Sequence, residues 1–387
     1  MKITRIEAIP LGIPLKKPLL MGGREYAFAE IVLVRLETTG RHVGFGESSI
    51  SPFLTGETVA SALAAVEILS QAMVGKDARN IVALSETMNH AIVGNAAAKA
   101  AVDVALHDAV AREYGMPIYR LLGGCTQDNF ACICLVGNSD GAVDLAEVAA
   151  RKAEGFTSFK LKVANGDLEE EAATLIEIRK MLGPRALVSA DANSAWSTAD
   201  ATRFVKLVES ASPDFVEQPV AAENHDGMVR VARASSVPIG ADESIHSVAD
   251  IRFLLASGAA LGGAFKVMKL GGITRCMEAV RLCRALGGEV NLSGKLGESS
   301  VANAATLSVA TAVGGVTWGL SLTNKYLVED IVRQPILLQN GRMHPIDQPG
   351  LGMEIDESKV SRFEIHAAPP NRSLKAPETA NERGDAI

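Results

Sequence analysis

The chain has 387 residues, 48% of them hydrophobic, and a net charge of −7; this apolar content excludes wholesale disorder, and the length exceeds the roughly 100–200 residues of one ordinary domain, which points to two units or one large barrel. The acidic excess is mild and no run of Lys and Arg interrupts it, which argues against a nucleic-acid surface. Aromatic residues make up only 4% while glycine reaches 35 residues, a balance that suits helices packed on a parallel sheet better than an aromatic-rich sandwich.

From Met1 to Glu7 the sequence runs directly into alternating apolar positions, without the continuous apolar stretch of a signal peptide or membrane span. A cytoplasmic protein with neither a membrane nor a nucleic acid as partner is expected. Residues 3–10, 30–37 and 43–47 read as strands of a small antiparallel sheet, with a glycine-containing loop over 19–23. From residue 57 to 124 the apolar period shifts to about 3.6, and 95–113 forms an alanine-rich helix ended by Tyr114-Gly115-Met116-Pro117. Five cysteines at 125, 132, 134, 276 and 283 form an odd, irregular set; Cys132 and Cys134 stand too close for a Cys-x-x-Cys unit, so all are read as reduced core residues.

Beyond residue 124, short apolar strands alternate with amphipathic helices. Strands are predicted near 131–136, 158–163, 187–193, 215–220, 238–244, 264–269, 289–293 and 316–322, with helices such as 167–182, 197–210, 247–257 and 274–286 between them. Regular β-α alternation of this length predicts an α/β fold, a (β/α)8 TIM barrel with an N-terminal α+β capping domain. The expected boundaries are 1–125 for the cap, 126–323 for the barrel, 324–366 for a return to the cap, and 367–387 for an unstructured tail rich in Pro, Asn and charge.

Charged residues break the apolar barrel strands at particular places. Lys160 and Lys162 alternate on the second strand and share a face, which is costly in a buried strand unless that face is a polar site. The third strand ends in Asp191-Ala-Asn193, the fourth in Glu217-Gln218-Pro219 and the fifth in Asp242-Glu243-Ser244, and the sixth carries Lys266. All lie towards the C-terminal strand ends, where barrel active sites are built. Intervals of 29, 26, 25 and 24 residues separate Lys162, Asp191, Glu217, Asp242 and Lys266, each about one strand-plus-helix unit. Three carboxylates side by side repel unless a divalent cation lies among them, and an all-oxygen set suits Mg²⁺, with Mn²⁺ as the alternative. Lys162 and Lys266 would flank that cation. The Lys160 ammonium and partial desolvation are expected to lower the Lys162 pKa towards that of a useful base. Proton abstraction beside a metal-bound carboxylate, through an enediolate, is the chemistry this set suggests.

These residues together resemble the enolase superfamily, specifically the muconate-lactonizing (muconate cycloisomerase) subgroup of the mandelate racemase/muconate lactonizing enzyme family. The resemblance extends over about residues 1–365, including Leu121-Leu-Gly-Gly124, Val316-Thr-Trp-Gly319 and Pro349-Gly-Leu-Gly352. A mandelate racemase-type site would want a His at the end of the seventh strand, which here reads Val290-Asn-Leu-Ser-Gly-Lys295. Enolase-type sites pair a Lys or His base with Mg²⁺. The resemblance accordingly implies a metal-dependent isomerase, a homo-oligomer with a small carboxylate as substrate. Lys162 would be the general acid/base, Lys160 its tuning neighbour, Lys266 the amine on the opposite face, and Asp191, Glu217 and Asp242 the metal ligands.

Asn193 and Gln218 are expected to orient the ligands. Glu243 is given a supporting role, because strand alternation sets it opposite Asp242. Lys269, the rival to Lys266, is expected on the other strand face. Glu298 matches an acid of muconate cycloisomerases and equally suits a helix N-terminus. In this family the loop at 19–24 and the end of the eighth strand read the substrate. Dipeptide epimerases carry Asp-x-Asp on that strand, whereas this chain has Ser321-Leu-Thr323. A dianionic substrate would want another cation, for which Arg24, Lys295 and Lys325 are candidates. The alternatives to cycloisomerisation are racemisation or epimerisation of an N-substituted amino acid or betaine, and an elimination of the succinylbenzoate-synthase or dehydratase type.

Overall fold

The computed structural model describes residues 1–21, 24–137 and 140–365. The tail predicted at 367–387 and the side chain of Arg24 lie outside what is described. The antiparallel sheet comprises β1 (Ile3–Met21), β2 (Arg24–Thr38) and β3 (Gly44–Ser49) in that order. Here the sequence reading is corrected: instead of ending at residue 10, β1 stays paired to Pro14↔Phe28 and resumes from Leu19↔Tyr26 to Met21↔Arg24. Leu11, Ile13 and Leu15 alternate into the core. Pro10 and Pro14, which obscured the strand, are tolerated because β1 is an edge of its sheet.

Four helices follow, α1 (Val59–Met73), α2 (Ile81–Ala91), α3 (Ala96–Glu113) and α4 (Ile118–Leu121), of which α1 and α3 pack on this sheet. The alanine-rich α3 is buried along almost its whole length. Its approach to β3 explains part of the glycine content, since a Cβ at Gly44 or Gly46 would stand 2.1 Å from the carbonyl oxygen of Ala105 or Ala101.

After β4 (Phe130–Ala131) the alternation gives β5 (Ile133–Val136), α5 (Gly141–Ala153), β6 (Ser158–Lys162), α6 (Leu168–Leu182), β7 (Leu187–Asp191), α7 (Thr198–Val208), β8 (Phe215–Glu217) and α8 (His225–Ala234). It continues with β9 (Ile239–Ala241), α9 (Val248–Ser257), β10 (Gly262–Phe265), α10 (Val267–Leu270), α11 (Ile273–Ala285), β11 (Glu289–Ser293), α12 (Ser300–Val313) and β12 (Leu320–Ser321). Strands β5 to β12 lie side by side in chain order, and a parallel bridge between Cys132 and Leu320 closes the barrel. Asp140, Asp167, Ser197, Asn224, Ser247 and Ser299 each cap the helix that follows with a side-chain oxygen, the residue types expected there. The chain then forms β13 (Arg342–Met343), paired with β4, and α13 (Glu357–Phe363). Bridges Leu15↔Leu327 and Leu11↔Glu364 lay this last segment against β1. All five cysteines are free thiols, but Cys125 is exposed, so only Cys132, Cys134, Cys276 and Cys283 are the buried residues that the sequence reading made of all five. Among the described residues no helix is long and apolar enough to cross a membrane.

The cap meets the barrel at the N-terminus of α12. Glu47 of β3 accepts from the Ser299 N–H at 2.8 Å and from its hydroxyl, and Asp330 accepts from the Ser300 hydroxyl at 2.6 Å. Two carboxylates thus face the positive end of one helix. Burial pushes Glu47 up to about 8, against the Ser299 hydrogen bonds, with Glu298 and Asp330 adding to the rise. A carboxyl raised from 4.5 keeps its proton in the folded chain while the unfolded chain loses it. Stability contributed here therefore falls as pH rises from about 4.5 to about 8 and is flat above. Glu47→Gln, which mimics the protonated form, should match the parent at pH 5 and exceed it by about 1–3 kcal/mol at pH 8.5, read by urea denaturation at both pH values. Equal gains at the two values would contradict this account.

Candidate active site

The barrel places the predicted residues on neighbouring strand ends. Lys162 of β6 is directly beside Asp191 of β7, and Asp191 directly beside Glu217 of β8. Asp242 follows the last residue of β9, and Lys266 the last residue of β10. With Lys160 they line a single cavity of about 410 Å³, which Asn193, Glu243 and Lys295 also reach. Gln218 and Glu298 are buried behind it. Among the described residues, the cap side chains that line this cavity are Ser51, Phe53 and Leu54, just after β3; the side chains of the loop at 19–24, expected to read the substrate, lie outside what is described. Lys325 lies elsewhere, in an adjoining cavity, with its ammonium 5.0 Å from the Tyr326 ring centre.

Each carboxylate is taken up by an amine. Lys160 Nζ lies 2.6 Å from Glu217 Oε2, and Lys162 Nζ lies 2.6 Å from Asp191 Oδ2 and 2.7 Å from Asn193 Oδ1. Lys266 donates to Asp242 Oδ2, while Lys269 takes the other oxygen, Oδ1, at 2.7 Å. The expectation that Lys269 faces away is therefore wrong. β10 stops at Phe265 and a helical turn begins at Val267, so Lys266 and Lys269 stand one turn apart and converge on one carboxylate. Lys269 is wholly buried and also donates to the Asp242 and Ala264 carbonyl oxygens.

The expected lowering of Lys162 is also corrected. Burial does pull its amine down, but the adjacent Asp191 carboxylate outweighs this and holds it above the ordinary lysine value; the nearby ammonium that opposes the rise is Lys266, not Lys160. Lys160 is engaged by Glu217 instead.

Supporting groups hold these side chains in place. Asn193 donates its N–H to Asp191 Oδ1 at 3.0 Å and its amide to Glu243 Oε1 at 3.1 Å. Gln218 Oε1 accepts from the backbone of Asp242 and Ser244, and its amide donates to Ser244 Oγ at 2.7 Å, fixing the turn that carries Asp242. Glu171 accepts from the N–H groups of Ala164, Asn165 and Gly166 and so fixes the loop after Lys162. Backbone strain collects in the same place: Ala164, Asn193, Ser194 and Gln218 all have positive φ (65°, 44°, 67° and 34°). Non-glycine residues adopt this region only where surroundings impose it, and such strain concentrates at functional sites.

The donor set fits a divalent cation. Burial raises both Glu217 and Glu243 to about 7, with Asp191 and Asp242 adding to each, even though Lys160 pulls Glu217 down. Burial and the neighbouring acids thus disfavour further negative charge here without a cation, and the oxygens of Asp191, Glu217 and Asp242 are hard ligands of the kind Mg²⁺ takes. With each carboxylate turned onto an amine, no three His, Cys, Asp or Glu side chains among the described residues converge closely enough to grip an ion.

Comparison with known proteins adds a separate line. Residues 5–123 match the family "Mandelate racemase / muconate lactonizing enzyme, N-terminal domain", and residues 144–359 match "Enolase C-terminal domain-like". The chain is 31% identical over 368 residues to muconate cycloisomerase 1 of Pseudomonas putida, covering 93% of this chain and 98% of that protein. The structure of a muconate lactonizing enzyme from Pseudomonas fluorescens complexed with muconolactone superposes with a TM-score of 0.89 at 30% identity, covering 94% of this chain and 99% of the other. N-succinyl Arg/Lys racemase from Bacillus cereus superposes with the same TM-score, 0.89, at 27% identity, covering 94% and 98%.

Proposed function

We infer the reaction from one premise: the chain belongs to the mandelate racemase/muconate lactonizing enzyme family of the enolase superfamily. It is a metal-dependent isomerase of a small carboxylate, with a reaction resembling that of muconate cycloisomerase. The observation that carries the mechanism is the placing of two amines, Lys162 and Lys266, in one cavity with a row of carboxylates between them in strand order.

Asp191, Glu217 and Asp242 would hold Mg²⁺, and the bound cation supplies positive charge for a substrate carboxylate. Lys162 takes or returns the proton on the carbon next to that carboxylate. Its amine is held by Asp191 and Asn193 at 2.6 and 2.7 Å, so its direction is fixed before substrate arrives. Lys160, paired with Glu217, contributes positive charge from the same strand face. Lys266 stands on the other side of the carboxylate row and serves the opposite face of the substrate. Phe53, Leu54 and Leu296 give the cavity its apolar wall.

The test is isotope exchange. Small carboxylates, including cis,cis-muconate, its lactone and N-succinyl amino acids, are incubated with Mg²⁺-loaded protein in D₂O while the α-hydrogen is followed by NMR. Exchange with at least one acid, abolished by EDTA, is expected; none with any acid would sink the proposal. Racemisation is the second reading, because two amines line one cavity and the racemase superposes as well as the lactonizing enzyme. Inversion at the α-carbon would select it. The homo-oligomeric state and cytoplasmic location expected from sequence are further proposals, open to light scattering and cell fractionation.

A further inference from the structure

Lys266 and Lys269 are carried by α10, a single turn of four residues with no side-chain cap at Lys266. A helix this short does not hold its own shape, so the two amines are placed by what packs around the turn. That packing comes from the cap. α10 lies against α3, and Met268, 2% exposed, belongs to the cap's apolar cluster with Ala98, Val102 and Leu106.

The exit from the turn is held by the same helix. Gly271 and Gly272 have φ of 87° and 124°, and Gly272, the N-cap of α11, offers no side chain to the helix it opens. Asp103 of α3 supplies what is missing: its Oδ1 accepts from the Thr274 hydroxyl at 3.0 Å and its Oδ2 from the Thr274 N–H at 3.3 Å. These bonds do for α11 what an N-cap oxygen does for α5 and α6. A Cβ at Gly272 would stand 2.5 Å from that carboxylate, so the glycine makes the approach possible. Asp103 is wholly buried, and His107, one turn along α3, sets its Nδ1 3.3 Å from Asp103 Oδ2. From Gly272 the constraint passes back along the chain: its N–H donates to the Val267 carbonyl at 2.9 Å, and the Leu270 N–H to the Lys266 carbonyl at 3.1 Å.

We propose that Asp103 is a positioning residue for Lys266: through α3, the cap fixes the turn that aims this amine into the cavity. The link to catalysis rests on the reading of Lys266 as the amine on one face of the substrate; the link to the turn does not. Asp103 itself does not line the cavity, so it acts only through the turn.

The test is competitive labelling of amines by acetic anhydride in metal-free protein, read residue by residue by mass spectrometry. In Asp103→Ala, Lys266 should label about fivefold faster, the weight of a lost helix cap, while Lys162 keeps its wild-type rate. Asp103→Asn should restore slow labelling, since its amide can accept from the Thr274 N–H and donate to the hydroxyl, which also accepts. Should Asp103→Ala fail to fold, Thr274→Val, which removes the hydroxyl alone, should show the same selectivity at smaller size. Equal acceleration of Lys162 and Lys266, or none at Lys266 in either variant, would overturn the proposal. In the D₂O exchange assay, Asp103→Ala should lower kcat about fivefold for whichever of those acids exchanges and leave its KM within about twofold, the pattern of a lost transition-state interaction. If no acid exchanges with wild type, the reading of Lys266 as a base fails, and the labelling still decides whether Asp103 places it.

Discussion

Replacing Lys162 by Met is expected to lower Mg²⁺-dependent α-hydrogen exchange by roughly 10²- to 10⁴-fold, the range that a positioned general acid or base supplies. The amine has no substitute on its own strand, because Lys160 is committed to Glu217 at 2.6 Å. The same change strips the buried Asp191 of its partner, so some stability is lost as well. Thermal melts with and without Mg²⁺ separate the two effects: a folded, metal-binding variant without exchange assigns the proton to Lys162. Lys266→Met then distinguishes reaction types. Racemisation needs an amine on each face and should fall as far as in Lys162→Met, whereas cycloisomerisation should keep measurable activity. Exchange within about threefold of wild type in Lys162→Met would remove it as the base.

What the sequence made legible, and what it hid, divides along physical lines. All eight barrel strands could be placed because a buried parallel strand is a short apolar run, and a charge within it stands out. Lys160, Lys162, Asp191, Glu217, Asp242 and Lys266 were found that way, and they share one cavity. The same logic failed at Lys269. Strand parity was extended two residues past the point where β10 gives way to a helical turn, and nothing in Phe265-Lys266-Val267-Met268-Lys269 signals that switch. The extent of β1 was hidden by prolines that only an edge strand tolerates. The cap residues over the cavity, Ser51, Phe53 and Leu54, were missed because their position depends on how β3 packs on α3, a contact between segments some 60 residues apart. Ser321 was marked only by its place at the end of the eighth strand; that its hydroxyl lacks a partner is visible only in the folded chain.

Substitution of the carboxylates themselves should separate metal binding from stability. Glu217→Gln and Asp242→Asn are each expected to weaken Mg²⁺ binding by at least about a hundredfold, since loss of an outer partner of a ligand already costs about 10–100-fold. Their metal-free stabilities should differ sharply. Asp242 gives one oxygen to each of two buried ammoniums, Oδ2 to Lys266 and Oδ1 to Lys269. An asparagine there can accept from only one of them and must turn its own N–H groups on the other. Burial disfavours the Asp242 charge, yet those two amines together hold its carboxyl well below the usual range, which marks how strongly the folded protein favours the ionised form. Asp242→Asn should therefore cost about 3–5 kcal/mol, the penalty for a buried charge left without its partner. Glu217 engages Lys160 through Oε2 alone and is pushed up to about 7, so glutamine can keep an oxygen on Lys160 and stands close to a form the protein already populates. Its cost should stay near 1 kcal/mol, comparable to one ordinary hydrogen bond. Urea denaturation in EDTA measures the difference, and calorimetry with Mg²⁺ measures the shared loss. Equal destabilisation would contradict this contrast between the two carboxylates, and Glu217→Gln with full Mg²⁺ affinity would remove Glu217 from the ligand set.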